Sequence, residues 1–219
     1  MILAVIGGKG GVGKSTVAFE LAAALDAVCV DADLGMADLP ARRGPDLHDV
    51  LAGRATPIEA VDESGPVDLL PCGRTLAGAR GCEPTALSEV LERVAAEYDR
   101  AVVDCPAGLG RDSGAALAAA DACLVVTTRE RAALSDALRA RELARTLDAG
   151  LVAVVVNFAS DPGDVRERFG APAVALPESV AIARAARHGL TLGEIAPDGA
   201  VTARIDELAT LVQRSVSSV

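Results

Sequence analysis

A glycine-rich loop near the start of the chain limits the possible folds more than any other feature. Residues 8–15 read GKGGVGKS and match the pattern G-x-x-x-x-G-K-[ST] at every fixed position. An apolar run, residues 2–6, precedes the loop, and a segment with helical spacing follows it. A strand, a glycine loop and a helix in this order place main-chain N–H groups around a phosphate. We therefore predict a phosphate-binding loop at the end of the first strand.

The polar residues of this loop suit a nucleoside triphosphate and Mg²⁺. Lys14 is expected to bridge the β- and γ-phosphates, and the Ser15 hydroxyl is expected to ligate Mg²⁺. The glycines allow the main chain to curl around phosphate oxygens, and the start of the following helix adds partial positive charge. The predicted nucleotide-binding segment is Gly8, Lys9, Gly10, Gly11, Val12, Gly13, Lys14, Ser15 and Thr16.

The distribution of lysine sets Lys9 apart from the other loop residues. The chain has 21 basic residues, and only two of them, Lys9 and Lys14, are lysines. Positions between the fixed glycines of a phosphate loop are ordinarily free, so a lysine there could simply be solvated. An ammonium group this close to Lys14 would instead lie beside the same phosphates. It could there neutralise the charge that develops as the γ-phosphoryl group leaves.

Short apolar runs alternate with alanine-rich segments of helical spacing along the rest of the chain. The runs are continuous in hydrophobicity, which is typical of strands buried on both faces of a parallel sheet. We therefore predict an α/β fold, a single P-loop domain over residues 1–219 with a doubly wound, mostly parallel sheet flanked by helices. The predicted strands are residues 2–6, 27–30, 67–70, 101–103, 123–127, 151–156 and 173–176. The predicted helices are residues 15–25, 85–97, 113–120, 132–147, 179–187 and 201–216, with short helices within 40–66 over one edge of the sheet.

Acidic residues end two of the predicted strands. Asp31 and Asp33 follow the second strand in the stretch VCVDADLG, and Asp104 ends the strand in AVVDCPAGLG. The carboxyl ends of the strands in an open α/β sheet border the crevice that holds ligands. One of the first pair is expected to orient a water or to hold Mg²⁺ through water, although both could only cap a turn. Asp104 is placed to hold Mg²⁺ through water.

The stretch KGGVGKST resembles the deviant Walker A motif of the MinD/ParA family of ATPases. In that family the early lysine, here Lys9, reaches the nucleotide of a partner subunit across a face-to-face dimer. The resemblance to the first switch motif implies that Asp33 orients or activates the attacking water while Asp31 supports the loop. The resemblance to the second switch motif places Asp104 at the Mg²⁺. Relatives usually carry a small hydroxyl residue where this chain has Cys105, and we expect that thiol to pack rather than to react.

Two further segments resemble the adenine-binding parts of the same family. Asn157 ends the strand in VVVNF, and an amide both donates to and accepts from an adenine edge. In the stretch ALPESVAIARAARHGLTL, the main chain around Pro177 and Glu178 would flank the base.

The resemblance implies a slow ATPase that uses Mg²⁺ and works as a switch. ATP would close a homodimer, the dimer would bind a partner or surface, and hydrolysis would release it. Such proteins position division machinery, chromosomes, motility machinery or sensory arrays, under the control of a protein activator or cargo. The alternative is an ATP-dependent metabolic ligase or a metal-cluster carrier of the same fold.

The sequence favours a protein partner over a membrane or DNA. The stretch IDELATLVQRSVSSV has one basic residue, unlike the basic amphipathic helix that ends membrane-cycling relatives. The last three arginines of residues 127–149 are interleaved with acids, which favours a solvated helix face, then a protein docking site, and lastly DNA. Residues 127–149 hold five arginines in all. These arginines are Arg129, Arg131, Arg139, Arg141 and Arg145.

The composition indicates a cytoplasmic protein. The formal net charge of −10 argues against a face that grips polyanions. The five cysteines form no Cys-x-x-Cys pair, so we expect buried, reduced thiols in a reducing compartment. The start of the chain lacks the basic region of a signal peptide. His48 and His188 carry no metal-ligand pattern and are expected at the surface.

Overall fold

A computed structural model describes residues 1–35, 39, 44–73 and 86–216 of the chain. Within them lies a seven-stranded sheet in the order β3-β2-β4-β1-β5-β6-β7, and every strand pairing is parallel. The strands are β1 (Ile2–Ile6), β2 (Val28–Asp31), β3 (Leu69–Leu70), β4 (Ala101–Asp104), β5 (Ala122–Thr127), β6 (Gly150–Asn157) and β7 (Ala173–Leu176).

The described helices lie between successive strands or follow the last strand, and they cover both faces of the sheet. They are α1 (Lys14–Leu25), α2 (Leu47–Leu51), α3 (Leu87–Tyr98), α4 (Arg111–Ala119), α5 (Arg131–Thr146), α6 (Val165–Phe169), α7 (Val180–His188), α8 (Leu192–Ile195) and α9 (Ala200–Val216). None of these helices combines the length and the apolar character needed to cross a bilayer. The α/β fold with helices on both sides of a parallel sheet is confirmed.

The two faces of β1 explain why the sheet must be covered on both sides. Successive side chains of a strand point to opposite faces. Ile2, Ala4 and Ile6 belong to one buried cluster, whereas Leu3 and Val5 belong to another. The first cluster packs against α2 to α6, and the second packs against α1 and α9. The continuous apolar run in the sequence therefore serves two separate cores.

The register of the strands places the carboxyl ends of β1, β2 and β4 side by side. Asp31 of β2 pairs with Asp104 of β4, and Asp104 pairs with Val5 of β1. Because all the strands run in one direction, the loops that follow β1, β2 and β4 leave the sheet at the same edge. The phosphate loop and both acidic loops are therefore neighbours.

The predicted elements were found within two residues of their expected bounds, with informative exceptions. The edge strand β3 is only Leu69–Leu70, because Pro66 and Pro71 flank it and proline cannot donate to a sheet. The expected short helices of 40–66 are represented by α2, while residues 40–43 lie outside the described residues, as does the predicted helix start at residue 85. Helices α6 and α8 were not predicted, since five and four residues are too few to show a helical period.

A buried glutamate joins the first helix to a late segment of the chain. Glu20 of α1 is 6% exposed, and its carboxylate accepts a hydrogen bond of 2.9 Å from the Leu192 N–H at the start of α8. Burial raises the pKa of Glu20, the hydrogen bond from Leu192 lowers it, and the charge of Glu194 raises it further. The net direction is upward, so the fold destabilises the charged form of Glu20 relative to the unfolded chain.

Replacing Glu20 with glutamine is expected to stabilise the protein at neutral pH. The ordinary pKa of the group is 4.5, and the folded value is higher, so the wild type loses stability as pH rises through this interval. Glutamine keeps an acceptor for Leu192 and has no charge to bury. Urea unfolding should give a larger free energy for Glu20→Gln at pH 7 and equal values below pH 4.5. The matched change at exposed Glu92 on α3 should leave the pH dependence unaltered; a less stable Glu20→Gln protein at pH 7 would contradict the argument.

Candidate nucleotide-binding site

The phosphate loop connects β1 to α1 through left-handed glycines. Gly11 has φ of 77° and Gly13 has φ of 92°, a region that side chains with a Cβ rarely adopt. Gly13 immediately precedes α1, and its carbonyl accepts the first helical hydrogen bond from Val17 N at 3.0 Å. The main-chain N–H groups at the start of α1 therefore open onto the loop, as phosphate binding requires.

Other parts of the sheet press directly against the loop. A Cβ on Gly7 would lie 2.7 Å from the Val126 carbonyl of β5. A Cβ on Gly8 would overlap Asp136 of α5. The loop therefore needs glycine both for its turns and for its close approach to β5 and α5.

Asn157, at the end of β6, braces the loop from the side. Its Nδ2 donates to the Val12 carbonyl at 2.8 Å, and its Oδ1 accepts from Phe158 N at 3.0 Å. A Cβ on Gly13 would collide with the same Nδ2. Sequence reasoning expected this amide to meet an adenine and did not anticipate the brace. One further N–H and one further lone pair remain on the amide, so contact with a base is still open to it.

The two lysines of the loop occupy different environments. Lys14 is 7% exposed, and its aliphatic chain runs 3.2 Å from the place where Gly7 would carry a Cβ. The Lys9 side chain is 49% exposed, and its Nζ lies 2.9 Å from Glu130 Oε2. The hydrogen bond with Glu130 raises the pKa of Lys9 and lowers that of the glutamate, so both groups are charged at neutral pH. One ammonium is thus held within the loop and the other is presented to solvent.

Carboxylates lie at the ends of β2 and β4, two adjacent strands on one side of β1. Asp31 is 0% exposed and Asp104 is 1% exposed. Asp31 accepts hydrogen bonds from Asp33 N at 3.2 Å and from Leu39 N at 3.3 Å, so it holds the loop that follows β2. Asp33 is half-buried, and its Oδ1 accepts from Gly35 N at 3.3 Å.

The loop after β4 contacts the phosphate loop through its main chain. Gly108, with φ of 88°, donates its N–H to the Gly7 carbonyl at 3.3 Å. The Ser113 hydroxyl lies 3.2 Å from the Gly108 carbonyl. Cys105 is buried, and burial together with the charge of Asp104 raises its pKa well above the ordinary value while Lys14 opposes the rise. As expected, this thiol packs in the core.

A cavity of about 380 Å³ opens beside the phosphate loop. It is lined by Lys9, Gly10, Gly11, Val12, Thr128, Arg129, Glu130, Asn157, Phe158 and Glu178. The structure thus brings half of the loop together with two of the three residues expected at the base. Half-buried Pro177 adjoins this lining, while Ser15 and Thr16 face a second cavity of about 360 Å³ with Phe19 and Leu190.

The donor set suits Mg²⁺ bound mainly by waters and phosphate oxygens. Ser15 lies in the first turn of α1, and the carboxylates of Asp33 and Asp104 follow neighbouring strands. Hydroxyl and carboxylate oxygens are the ligands that Mg²⁺ prefers. In the described part of the chain no three His, Cys, Asp or Glu residues cluster closely enough to hold a metal. A magnesium ion would therefore depend on the nucleotide for part of its coordination.

The structure corrects one expectation and extends two others. His188 is exposed as expected, but His48 was wrongly placed at the surface, because its ring is buried under the loop that follows β2. Four cysteines are buried free thiols, as expected, and Cys82 lies outside the described residues. Of the five arginines of residues 127–149, four form ion pairs: Arg129–Asp161, Arg139–Asp136, Arg141–Glu142 and Arg145–Glu142.

Replacing Gly13 with alanine is expected to destabilise the protein and to abolish nucleotide binding. A Cβ there combines a left-handed backbone with a collision against Asn157. Gly53 is the matched control, since its φ is 70° and no atom lies within 4 Å of an added Cβ. Gly53→Ala should lose only roughly 1–2 kcal/mol of unfolding free energy to backbone strain, measured by urea unfolding. It should keep its affinity for a fluorescent ATP analogue. Equal losses in the two variants would show that Asn157 does not constrain the loop.

The sequence matches an established family over most of its length. The model of the CobQ/CobB/MinD/ParA nucleotide binding domain, CbiA, matches residues 3–192. An uncharacterised ATP-binding protein of Methanocaldococcus jannaschii is 32% identical, over 94% of this chain and 85% of that protein. The septum site-determining protein MinD of Synechocystis is also 32% identical, over 71% of this chain and 64% of that protein. The chain thus spans less than two thirds of the length of this MinD.

The fold agrees with a solved structure of the same kind. The septum site-determining protein MinD of Pyrococcus horikoshii, complexed with Mg-ADP, superposes with a TM-score of 0.90 at 26% identity. The superposition covers 98% of this chain and 96% of that one. On the family match and the 32% identity over nearly the whole chain, this protein belongs to the CobQ/CobB/MinD/ParA nucleotide-binding family, among the MinD/ParA-type P-loop ATPases.

Proposed function

We propose that this chain is a Mg²⁺-dependent ATPase that dimerises when it binds ATP and separates after hydrolysis, with residues 1–219 acting as one domain. The observation that carries the proposal is the contrast between the two lysines of a single phosphate loop. Lys14 is buried beside Gly7, whereas the Lys9 side chain is half exposed and points to solvent. Buried Lys14 suits the phosphates of its own nucleotide, and exposed Lys9 suits a nucleotide on a second subunit.

The electrostatics of hydrolysis favour a cation supplied in this way. Charge accumulates on the phosphoryl oxygens as the γ-phosphate leaves, and a correctly placed cation stabilises that state. In the single chain Lys9 pairs with exposed Glu130 across an accessible cavity. Surface ion pairs of this kind are weak, so the ammonium can exchange Glu130 for phosphate when two subunits meet.

The remaining site residues divide the other tasks of the reaction. Ser15, Asp33 and Asp104 would hold Mg²⁺, directly or through water, and the ion would neutralise phosphate charge. Asp33 would in addition orient the attacking water, since it follows β2 in a loop that Asp31 holds. Asn157, Pro177 and Glu178 would contact the base at the cavity wall.

A contact between two loops would couple the bound nucleotide to the conformation of the protein. Gly108, in the loop after β4, donates to Gly7 at the start of the phosphate loop. Departure of the γ-phosphate changes the charge next to both loops, and a glycine-rich loop can respond by changing conformation. Dimer and monomer would then present different surfaces to a protein activator or cargo.

The proposed task is to position a cellular structure in the cytoplasm. Two relatives are septum site-determining proteins, which act in this way by name. Four buried free thiols suit a reducing cytoplasm. A carrier that shares a metal cluster between subunits would need accessible cysteines, and the four described ones are all buried. The ion-paired arginines favour a protein partner over DNA.

Changing Lys9 to alanine is expected to separate binding from dimerisation. Lys9→Ala should bind ATP but remain monomeric with ATP and Mg²⁺ in sedimentation velocity, and its hydrolysis should fall to background. Lys14→Ala should lose nucleotide binding altogether. Arg204 is a matched control, since its side chain is 51% exposed and pairs with Glu207 at 2.8 Å on α9. A Lys9→Ala protein that turns over ATP as fast as Arg204→Ala would disprove the role of Lys9.

Changing Asp33 to alanine is expected to trap the ATP-bound dimer. Without a carboxylate to orient water, ATP should bind and close the dimer but persist unhydrolysed. Asp62 provides a matched control, because its Oδ1 also accepts an N–H two residues ahead, from Ser64, in a loop remote from the site. Asp62→Ala should cycle normally. A strictly monomeric Asp33→Ala protein in the presence of ATP would count against the switch.

A further inference from the structure

A buried histidine and a buried cysteine hold the main chain of the loop that follows β2. The Cys72 thiol donates to the Asp33 carbonyl at 3.0 Å, and His48 Nε2 lies 3.1 Å from the Leu34 carbonyl. Because a carbonyl can only accept, Nε2 carries the proton in this arrangement. The two side chains also meet each other, with Cys72 Sγ 3.6 Å from His48 Nε2. Successive carbonyls of one loop are therefore fixed by donors from outside it.

The two donors belong to one rigid unit. His48 lies on α2, which begins with a capping box formed by Asp46 and Asp49. Leu47 N donates to the Pro71 carbonyl at 2.9 Å and so ties α2 to the segment that carries Cys72. A Cβ on Gly73 would overlap the imidazole, so only glycine leaves room for the ring.

The buried imidazole of His48 makes its hydrogen bond with this loop. His48 is 3% exposed, and in the described part of the chain its Nδ1 has no hydrogen-bond partner. The hydrogen bond from Nε2 is thus the ring's link to the main chain of the loop. The Cys72 thiol is equally committed to this loop, since it is fully buried and its sulfur lies 3.0 Å from the Asp33 carbonyl.

We propose that His48 and Cys72 are positioning residues that hold Asp33 in its hydrolytic orientation, an inference that rests on the proposed function. Asp33 is fixed on both sides, because its N–H donates to Asp31 and its carbonyl accepts from Cys72. If one donor is lost, the loop samples other conformations and a smaller fraction of molecules is competent. The phosphate loop and its hold on nucleotide are separate and remain intact.

The chain offers a matched control for Cys72. Cys123 is also a fully buried thiol that donates to a carbonyl, that of Ala149. It lies on β5, three strands away from β2 in the sheet, and its bond goes to Ala149 and not to the acidic loop. Removing either sulfur leaves a similar cavity, but only Cys72 touches the loop of Asp33.

The experiment compares steady-state ATP hydrolysis by Cys72→Ala, Cys72→Ser and Cys123→Ala. Loss of one hydrogen bond predicts a kcat roughly fivefold lower for Cys72→Ala at an unchanged KM for ATP. Serine keeps a donor and should restore most of kcat, and Cys123→Ala should match the wild type. His48→Phe, which keeps a ring of similar size without a donor, should repeat the effect of Cys72→Ala. Equal kcat in Cys72→Ala and Cys123→Ala overturns the inference.

A second readout does not depend on hydrolysis. Amide hydrogen exchange at Asp33 and Gly35, followed by NMR in the protein without nucleotide, should accelerate in Cys72→Ala and not in Cys123→Ala. Equal exchange in the two variants overturns the positioning role. Wild-type protein without Asp33-dependent hydrolysis would overturn the proposed function instead, and the exchange rates would then still decide whether His48 and Cys72 hold the loop.

Discussion

Everything at the nucleotide site depends on how the phosphate loop is held against the sheet. The loop has left-handed glycines, a conformation that larger residues rarely adopt, and an added Cβ at Gly7, Gly8 or Gly13 would collide with β5, α5 or the Asn157 amide. The hydrogen bond from Asn157 to the Val12 carbonyl links the end of β6 to the middle of the loop. Since the strands are parallel, the acidic loops after β2 and β4 leave the sheet at the same edge. A single geometric constraint therefore brings the residues proposed to contact phosphate, metal and base to one edge of the sheet.

The two lysines concentrate positive charge in the phosphate loop. The chain carries a net charge of −10, yet its only two lysines lie in the phosphate loop. Desolvation costs Lys14 free energy, which a bound polyphosphate would return, while Lys9 remains in water with Glu130. The site is thus a local cation surrounded by an acidic protein, which suits small anions and disfavours the broad capture of polyanions.

The polar contacts that link the loops are made largely through the main chain. Gly108 reaches Gly7, Asp31 holds the N–H groups of Asp33 and Leu39, and His48 and Cys72 hold the carbonyls beyond. Main-chain bonds of this kind transmit a shift of one loop to the next without requiring a particular side chain at every step.

The sequence alone determined the phosphate loop, the parallel sheet and its element bounds within two residues, because glycine spacing and apolar runs are local signals. It also located Asp31, Asp33 and Asp104, since acids that end buried strands are visible in a linear pattern. Only the tertiary structure decided the roles of Asn157, Glu20 and His48. Their partners lie 145, 172 and 14 residues away, at Val12, Leu192 and Leu34, and no periodicity records such distances. A lone polar residue carries no sign of whether it will be buried, so its contacts follow from the packing of segments that meet only in the fold.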